Sequence, residues 1–204
     1  MDGIAAAFVA SLLLGMRHAL DADHIVAITT IVSTERRAAV AARVGLMWGH
    51  GHTLTILIIG GGMIVFKLVF TPRLGLSLEL AVAVMLMVLG VLNLFQQAPV
   101  NLLSQVRPFI IGTVHGMAGS AAVTLLIIPL IADPRVAVFY LGVFGIGTIA
   151  GMTIVTLLIA APASLAGSRL AAFGHSLRFA SGGVSLAFGA YLGFRIAFVD
   201  GLFG

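Results

Sequence analysis

Six apolar stretches alternate along the chain with short polar breaks, covering residues 4–32, 44–70, 78–96, 108–132, 136–160 and 176–198. A helix rises about 1.5 Å per residue, so roughly 20 apolar residues cross a hydrocarbon core of about 30 Å. Each stretch therefore predicts a membrane-spanning helix. The breaks at 33–43, 71–77, 96–107, 133–135 and 162–175 hold most of the proline and arginine, and none is long enough to separate two domains. The run 4–14 has the length of a signal-peptide core. Asp2 precedes it where a basic region belongs, and no cleavage context follows, so it is expected to be retained.

Composition agrees with the pattern. The 204 residues are 60% hydrophobic and 9% charged, with a mean hydropathy of +1.18. An ordinary soluble domain is about one quarter charged. The expected class is an all-α integral membrane protein, a single membrane domain over 1–204 whose solvent is the lipid bilayer. The net charge of +4 comes from basic residues scattered singly between apolar runs, so no nucleic-acid partner is expected. Cysteine is absent, which excludes disulfides, thiolate metal sites and cysteine nucleophiles. Any metal must be held by nitrogen, oxygen or thioether.

Shifting the chain by about a hundred positions reveals an internal repeat. Gly15-Met16-Arg17-His18 faces Gly112-Thr113-Val114-His115, the run from Gly51 faces that from Gly151, and 86–92 faces 186–192 more loosely. Two three-helix copies, about 1–100 and 101–204, must enter the membrane from opposite sides because three is odd. The expectation is six transmembrane helices as two inverted repeats, with a substrate site where the halves meet. Glycines four apart, at 112/116, 147/151 and 189/193, read as helix contact faces. The breaks after helices one, three and five carry slightly more arginine than the opposite side. That places both termini outside the cytoplasm, in a multi-pass cytoplasmic (inner) membrane protein of bacterial type.

The chemistry is concentrated in Arg17-His18-Ala19-Leu20-Asp21-Ala22-Asp23-His24. An ionised group at mid-helix costs roughly 2.5–3.5 kcal/mol on insertion scales, so this cluster needs partners. On a regular helix His18, Asp21 and His24 share one face, Asp23 points nearly the other way, and Arg17 is placed to pair with Asp21. Either the helix unwinds here, or Asp23 orients a histidine from behind. Two imidazoles with one or two carboxylates suit a borderline transition metal better than magnesium or calcium. In the second stretch, His50 and His52 project about 200° apart on a helix, and His52, beside Thr53, is the stronger candidate. Glycines 49 and 51 permit either distortion or close approach. His115, Met117 and Ser120 are expected to line the path from the second repeat, while His175 in a polar break is expected to be solvated.

The run Arg17 to Ile25 resembles the His-x4-Asp-His signature of the nickel/cobalt transporter family, and Gly51-His52-Thr53 is similar to that family's Gly-His-Ser/Thr motif. The segment from His115 to Ala122 is more like its short, urease-accessory-type relatives. Carried over by position, the resemblance implies that His18, Asp21, Asp23, His24 and His52 recognise metal. It implies a permease, not an enzyme, that takes up Ni²⁺ or Co²⁺ as transported substrate and keeps no permanent cofactor. The longer relatives have eight helices, and here the signature lies in the first, which leaves uptake, export and the need for an oligomer or accessory subunit open. A metal-binding accessory protein for urease or hydrogenase maturation is the alternative. An intramembrane metallohydrolase is disfavoured, since no His-Glu-x-x-His is present and Glu35 and Glu79 lie near predicted helix ends. No phosphate-binding loop is present either, so energy must come from gradients or another subunit.

Overall fold

The computed structural model describes residues 2–33, 35–68, 71–95, 102–127, 133–165 and 174–203. Among these residues there are seven α-helices and no strand. They are α1 (Asp2–His18), α2 (Ala22–Val32), α3 (Ala38–Phe66), α4 (Pro72–Leu94), α5 (Leu102–Ile127), α6 (Pro134–Leu165) and α7 (Gly174–Phe194), the last continued by one π-helical turn at Arg195–Val199. Four of the segments, Ala38–Phe66, Pro72–Leu94, Pro134–Pro162 and Ser176–Val199, are long and apolar enough to cross a membrane. The α1 and α2 pair adds a fifth if counted as one broken span. Large apolar side chains such as Ile58, Phe139, Ile146 and Leu158 are more than half exposed on the outer faces, as lipid-facing residues are in a multi-pass membrane protein.

The first predicted span is corrected in one respect. Residues 4–32 are not one helix but two, bent by 55° at Ala19–Asp21. The backbone N–H groups of Leu20 and Asp21 reach back three residues to the carbonyls of Arg17 and His18, a tightened last turn that ends α1. Asp21 is then extended (φ −61°, ψ 144°) and stands at the N-cap of α2. Its side chain does not cap the helix, because the carboxylate is held by His18 at 2.7 Å. α4 also begins earlier than the apolar pattern predicts, since Thr71 caps it by accepting from the Leu74 N–H and Pro72 occupies the first turn.

Bare backbone joins the helices. α3 runs against α5 and α6, α1 against α6, and α4 against α7. A Cβ on Gly15 would overlap the Phe144 carbonyl, and one on Gly112 the Trp48 carbonyl. A Cβ on Gly147 would overlap the Leu12 carbonyl, and one on Gly51 the Phe109 carbonyl. In each couple the second contact repeats the first with the halves exchanged: 15 to 112 and 12 to 109 are 97 positions, 48 to 144 and 51 to 147 are 96. The same holds where Gly90 meets the Gly182 carbonyl and Gly189 the Ala83 carbonyl. These contacts pair Gly51 with Gly147 and not with Gly151, although Gly151 also packs closely, on Met16. Gly193 has only side chains near it, at 3.8 Å.

Buried hydroxyls bond within the bundle. Thr148, Thr153 and Thr156 bond the carbonyl four residues back, while Ser185 donates to the Leu86 carbonyl of α4 and Ser11 to the Tyr140 carbonyl of α6. In a solvent that offers no hydrogen bonds, this is the available route to satisfaction.

Gly15→Ala is expected to lower the melting temperature in detergent, with a cost of about 1–3 kcal/mol for forcing α1 off α6. Gly62→Ala, where a Cβ would meet nothing within 4 Å, should leave it unchanged or raise it slightly through better helix propensity. Equal melting temperatures for the two variants would refute the close-packing argument.

Candidate metal centre

The break between α1 and α2 sets the site. It puts the carbonyl end of α1, which carries partial negative charge, beside His18, and it turns the first residues of α2 inward. Asp21 then stands at the N-cap of α2 and Asp23 in its opening turn, where carboxylates are favoured. With the helix interrupted, the direction of Asp23 is set by α2 alone and no longer by its register with His18 on α1.

Each carboxylate orients an imidazole. Asp21 accepts from Nδ1 of His18 at 2.7 Å. One oxygen of Asp23 accepts from the backbone N–H of His24 at 2.9 Å and from its Nδ1 at 3.0 Å. The other oxygen accepts from Nε2 of His115 on α5 at 2.8 Å. A histidine that donates one ring N–H to a carboxylate presents the lone pair of its other nitrogen, the arrangement that precedes metal ligation. Accordingly Nε2 of His24 and Nδ1 of His115 are buried with no hydrogen-bond partner among the described residues, as is Nδ1 of His52.

Nε2 of His18 and Nε2 of His52 are 3.1 Å apart. Two nitrogens each about 2.0–2.1 Å from one cation stand roughly 2.8–3.0 Å apart at octahedral angles and roughly 3.3–3.4 Å apart at tetrahedral ones, so this spacing, between the two, is of the size a shared ion requires. One ligand atom from each of His18, His24 and His52 lies within 4.8 Å of the others, and the same holds for Asp23, His24 and His115. The two groups share His24. His24, His52 and His115 are almost wholly buried, whereas Asp21 is 55% exposed.

An open cavity of about 270 Å³ reaches the cluster, lined by His18, Asp21, Asp23, His24, His115 and Glu79 among others. Gly119 on α5 also lines it, and a Cβ there would stand 3.6 Å from Nε2 of His18 and 3.7 Å from Cε1 of His52. Gly116 one turn earlier lets α5 seat on the His52 backbone. Thus Gly116 serves packing, and Gly119 keeps space over the imidazoles.

Other sequence candidates stand apart from the cluster. α3 remains regular, so His50 and His52 diverge; His50 is exposed and donates from Nδ1 to the Leu46 carbonyl at 2.7 Å. Its flanking glycines serve close approach, Gly49 to Ile149 and Gly51 to Phe109. Arg17 is exposed, and no ion pair with Asp21 forms among the described residues, since His18 takes that carboxylate. Thr53 donates to the Gly145 carbonyl of α6. Met117 is half-buried and does not line the cavity. The side chains of Ser120 and His175 lie outside the described residues. Sequence reasoning missed Glu79: it sits in the second turn of α4 and not at a helix end. The capping Thr71-Pro72 pair was the signal that α4 starts early enough to carry it inward.

The chain is 30% identical over 209 residues to the urease accessory protein UreH of Bacillus sp. (strain TB-90), an alignment covering 93% of this chain and 91% of that protein. No protein-family model and no solved structure matches it.

Purified protein is expected to melt later when Ni²⁺ is added, by an amount equivalent to about 2.7 kcal/mol at a hundredfold excess over Kd. His52→Ala and His24→Ala should abolish that rise, and His50→Ala should retain it. A rise retained in all three variants would remove the imidazole cluster from consideration.

Proposed function

The chain belongs to the family of the urease accessory protein UreH, the short branch of the nickel/cobalt transporter family that its first motif resembles, and on that premise we propose that it is a permease taking up Ni²⁺ or Co²⁺. The observation that carries the reading is the convergence of His18, His24 and His52 from three helices, with the buried Nε2 of His24 left unpartnered. Burying lone pairs without partners costs free energy unless a ligand meets them. Neutral imidazoles supply borderline donors that select such cations over magnesium or calcium, and without thiolates the ion is released more readily.

In this reading the ion is held by His18, His24 and His52, with Asp21 and Asp23 fixing the rings and supplying negative charge. His115 and Asp23 form the neighbouring position through which the ion leaves or enters. The architecture is two inverted three-helix repeats spanning the membrane six times, about 1–100 and 101–204. The exchanged glycine contacts between the halves support it, and so does the match of His18 with His115 at the same displacement of 97 positions. Asp23 then bridges the repeats through its bond to His115, so rocking one repeat against the other would break that contact and open the site. The chain lies in the cytoplasmic membrane with both termini outside.

The name of the UreH relative favours a second reading, a membrane protein that binds nickel and passes it to a urease assembly partner without transporting it. Flux of ⁶³Ni²⁺ into liposomes holding this chain alone separates the two. The permease reading expects saturable uptake that His18→Ala and His24→Ala reduce at least tenfold, since each removes a ligand and leaves a buried vacancy. Metal binding requires deprotonated imidazole, so protons compete with the ion and uptake should decline as the medium is acidified. Binding without uptake would leave the accessory reading.

A further inference from the structure

Among the described residues, Glu79 is the one acidic side chain on the cavity wall that the histidine–aspartate cluster does not use. α4 carries it between Leu78 and Leu80, on a helix whose other residues are apolar apart from Arg73, Ser77 and Asn93. A carboxylate on such a helix is costly unless a cation meets it. Among the described residues no hydrogen bond or ion pair forms at Glu79. Arg195, whose charge reaches it, is engaged by Asp200 at 3.4 Å.

The same cavity ends on groups that await a ligand. His24 and His115 line it, both about 2% exposed, and each has one buried ring nitrogen without a partner. Exposure falls from rim to floor: Glu79 and Asp21 are exposed, Asp23 is partly covered, and the two imidazoles are buried. Val82 and Leu192 make the wall beside Glu79 apolar. A cation moving inward has carboxylate oxygens to hold it on the rim and imidazole nitrogens on the floor. Carboxylates bind an ion that keeps several of its waters, whereas the three-imidazole position requires it to shed them.

We propose that Glu79 is a way station on the cavity rim, a carboxylate that takes the partly hydrated divalent cation before the imidazoles strip its water. The proposal rests on the permease reading. It assigns to α4, which contributes nothing to the histidine cluster, a role in capture.

The test is ⁶³Ni²⁺ flux in both directions across liposomes containing the full chain, as wild type, Glu79→Gln and Glu79→Asp. Equilibrium ⁶³Ni²⁺ binding and melting temperature are measured on the same preparations. Glu79→Gln should raise KM about tenfold in the direction that enters through the cavity and leave kcat within about twofold, the pattern of lost capture. Binding at equilibrium and melting temperature should be unchanged, and Glu79→Asp should restore most of the KM. An unchanged KM in both directions would overturn the proposal. So would equal impairment of the two variants with a lowered melting temperature, which marks a packing role. Absence of flux in the wild type would instead overturn the permease reading, and this proposal with it.

Discussion

One carboxylate holds the centre together. Asp23 accepts from His24 with one oxygen and from His115 with the other, joining α2 to α5 across more than ninety residues of sequence. Each bond fixes which ring nitrogen carries a proton, and so which one is left to face a ligand. Removing either partner would strand a charge or a polar nitrogen in a low-dielectric interior, where little else can satisfy it. The orientation of two imidazoles therefore depends on one side chain, carried at the start of the helix that follows the break.

The break is a local event with long-range effect. A continuous helix through 4–32 would satisfy its own backbone and leave Asp23 turned away from His18 and His24. Ending α1 at His18 and restarting at Ala22 frees polar backbone groups, which membrane interiors tolerate where they line a cavity or lie inside protein. Here both conditions hold, because the cavity reaches this point and α6 packs directly behind it. The packing itself is glycine on carbonyl: Gly15, Gly147 and Gly151 bring α1 and α6 together, and Gly51, Gly112 and Gly116 do the same for α3 and α5. Close approach at these positions seats His52 beside His18. Lipid-exposed helices gain little from apolar contact with each other, so small residues and buried hydroxyl bonds carry much of the association.

Much of this was legible in the residues, for reasons that differ between elements. Four of the spans, and a fifth if α1 and α2 count as one, follow from apolar length. His52 was separable from His50 because two positions on a regular helix cannot face one way. On the residues alone, Asp23 orienting a histidine and an unwound helix are alternatives; in the structure Asp23 bonds His24 and His115, and the helix is interrupted just before it. Gly112, Gly116, Gly147, Gly151 and Gly189 are recognisable as contact glycines from their four-residue spacing, whereas Gly193 has the spacing without the backbone contact; the register of α3 against α6 is not legible, since Gly51 and Gly151 both lie in apolar runs, and only backbone proximity shows that Gly51 plays the part of Gly147. The Arg17 to Asp21 pairing failed because the i to i+4 geometry it needs vanishes at the break, leaving Arg17 exposed.

The sequence by itself determined that the chain is helical and membrane-embedded, that any metal must be held by nitrogen, oxygen or thioether, and where along the chain the histidine and carboxylate candidates lie. Those properties follow from composition and from periodicity within one element. Tertiary structure decided that His115 and Glu79, on helices with no acidic cluster of their own, share a cavity with the first motif, and that Asp21 stands behind His18 at its other ring nitrogen. Such facts depend on which helix faces meet and on a 55° bend. Neither is encoded in the period of any single segment; both arise from packing between segments far apart in the chain.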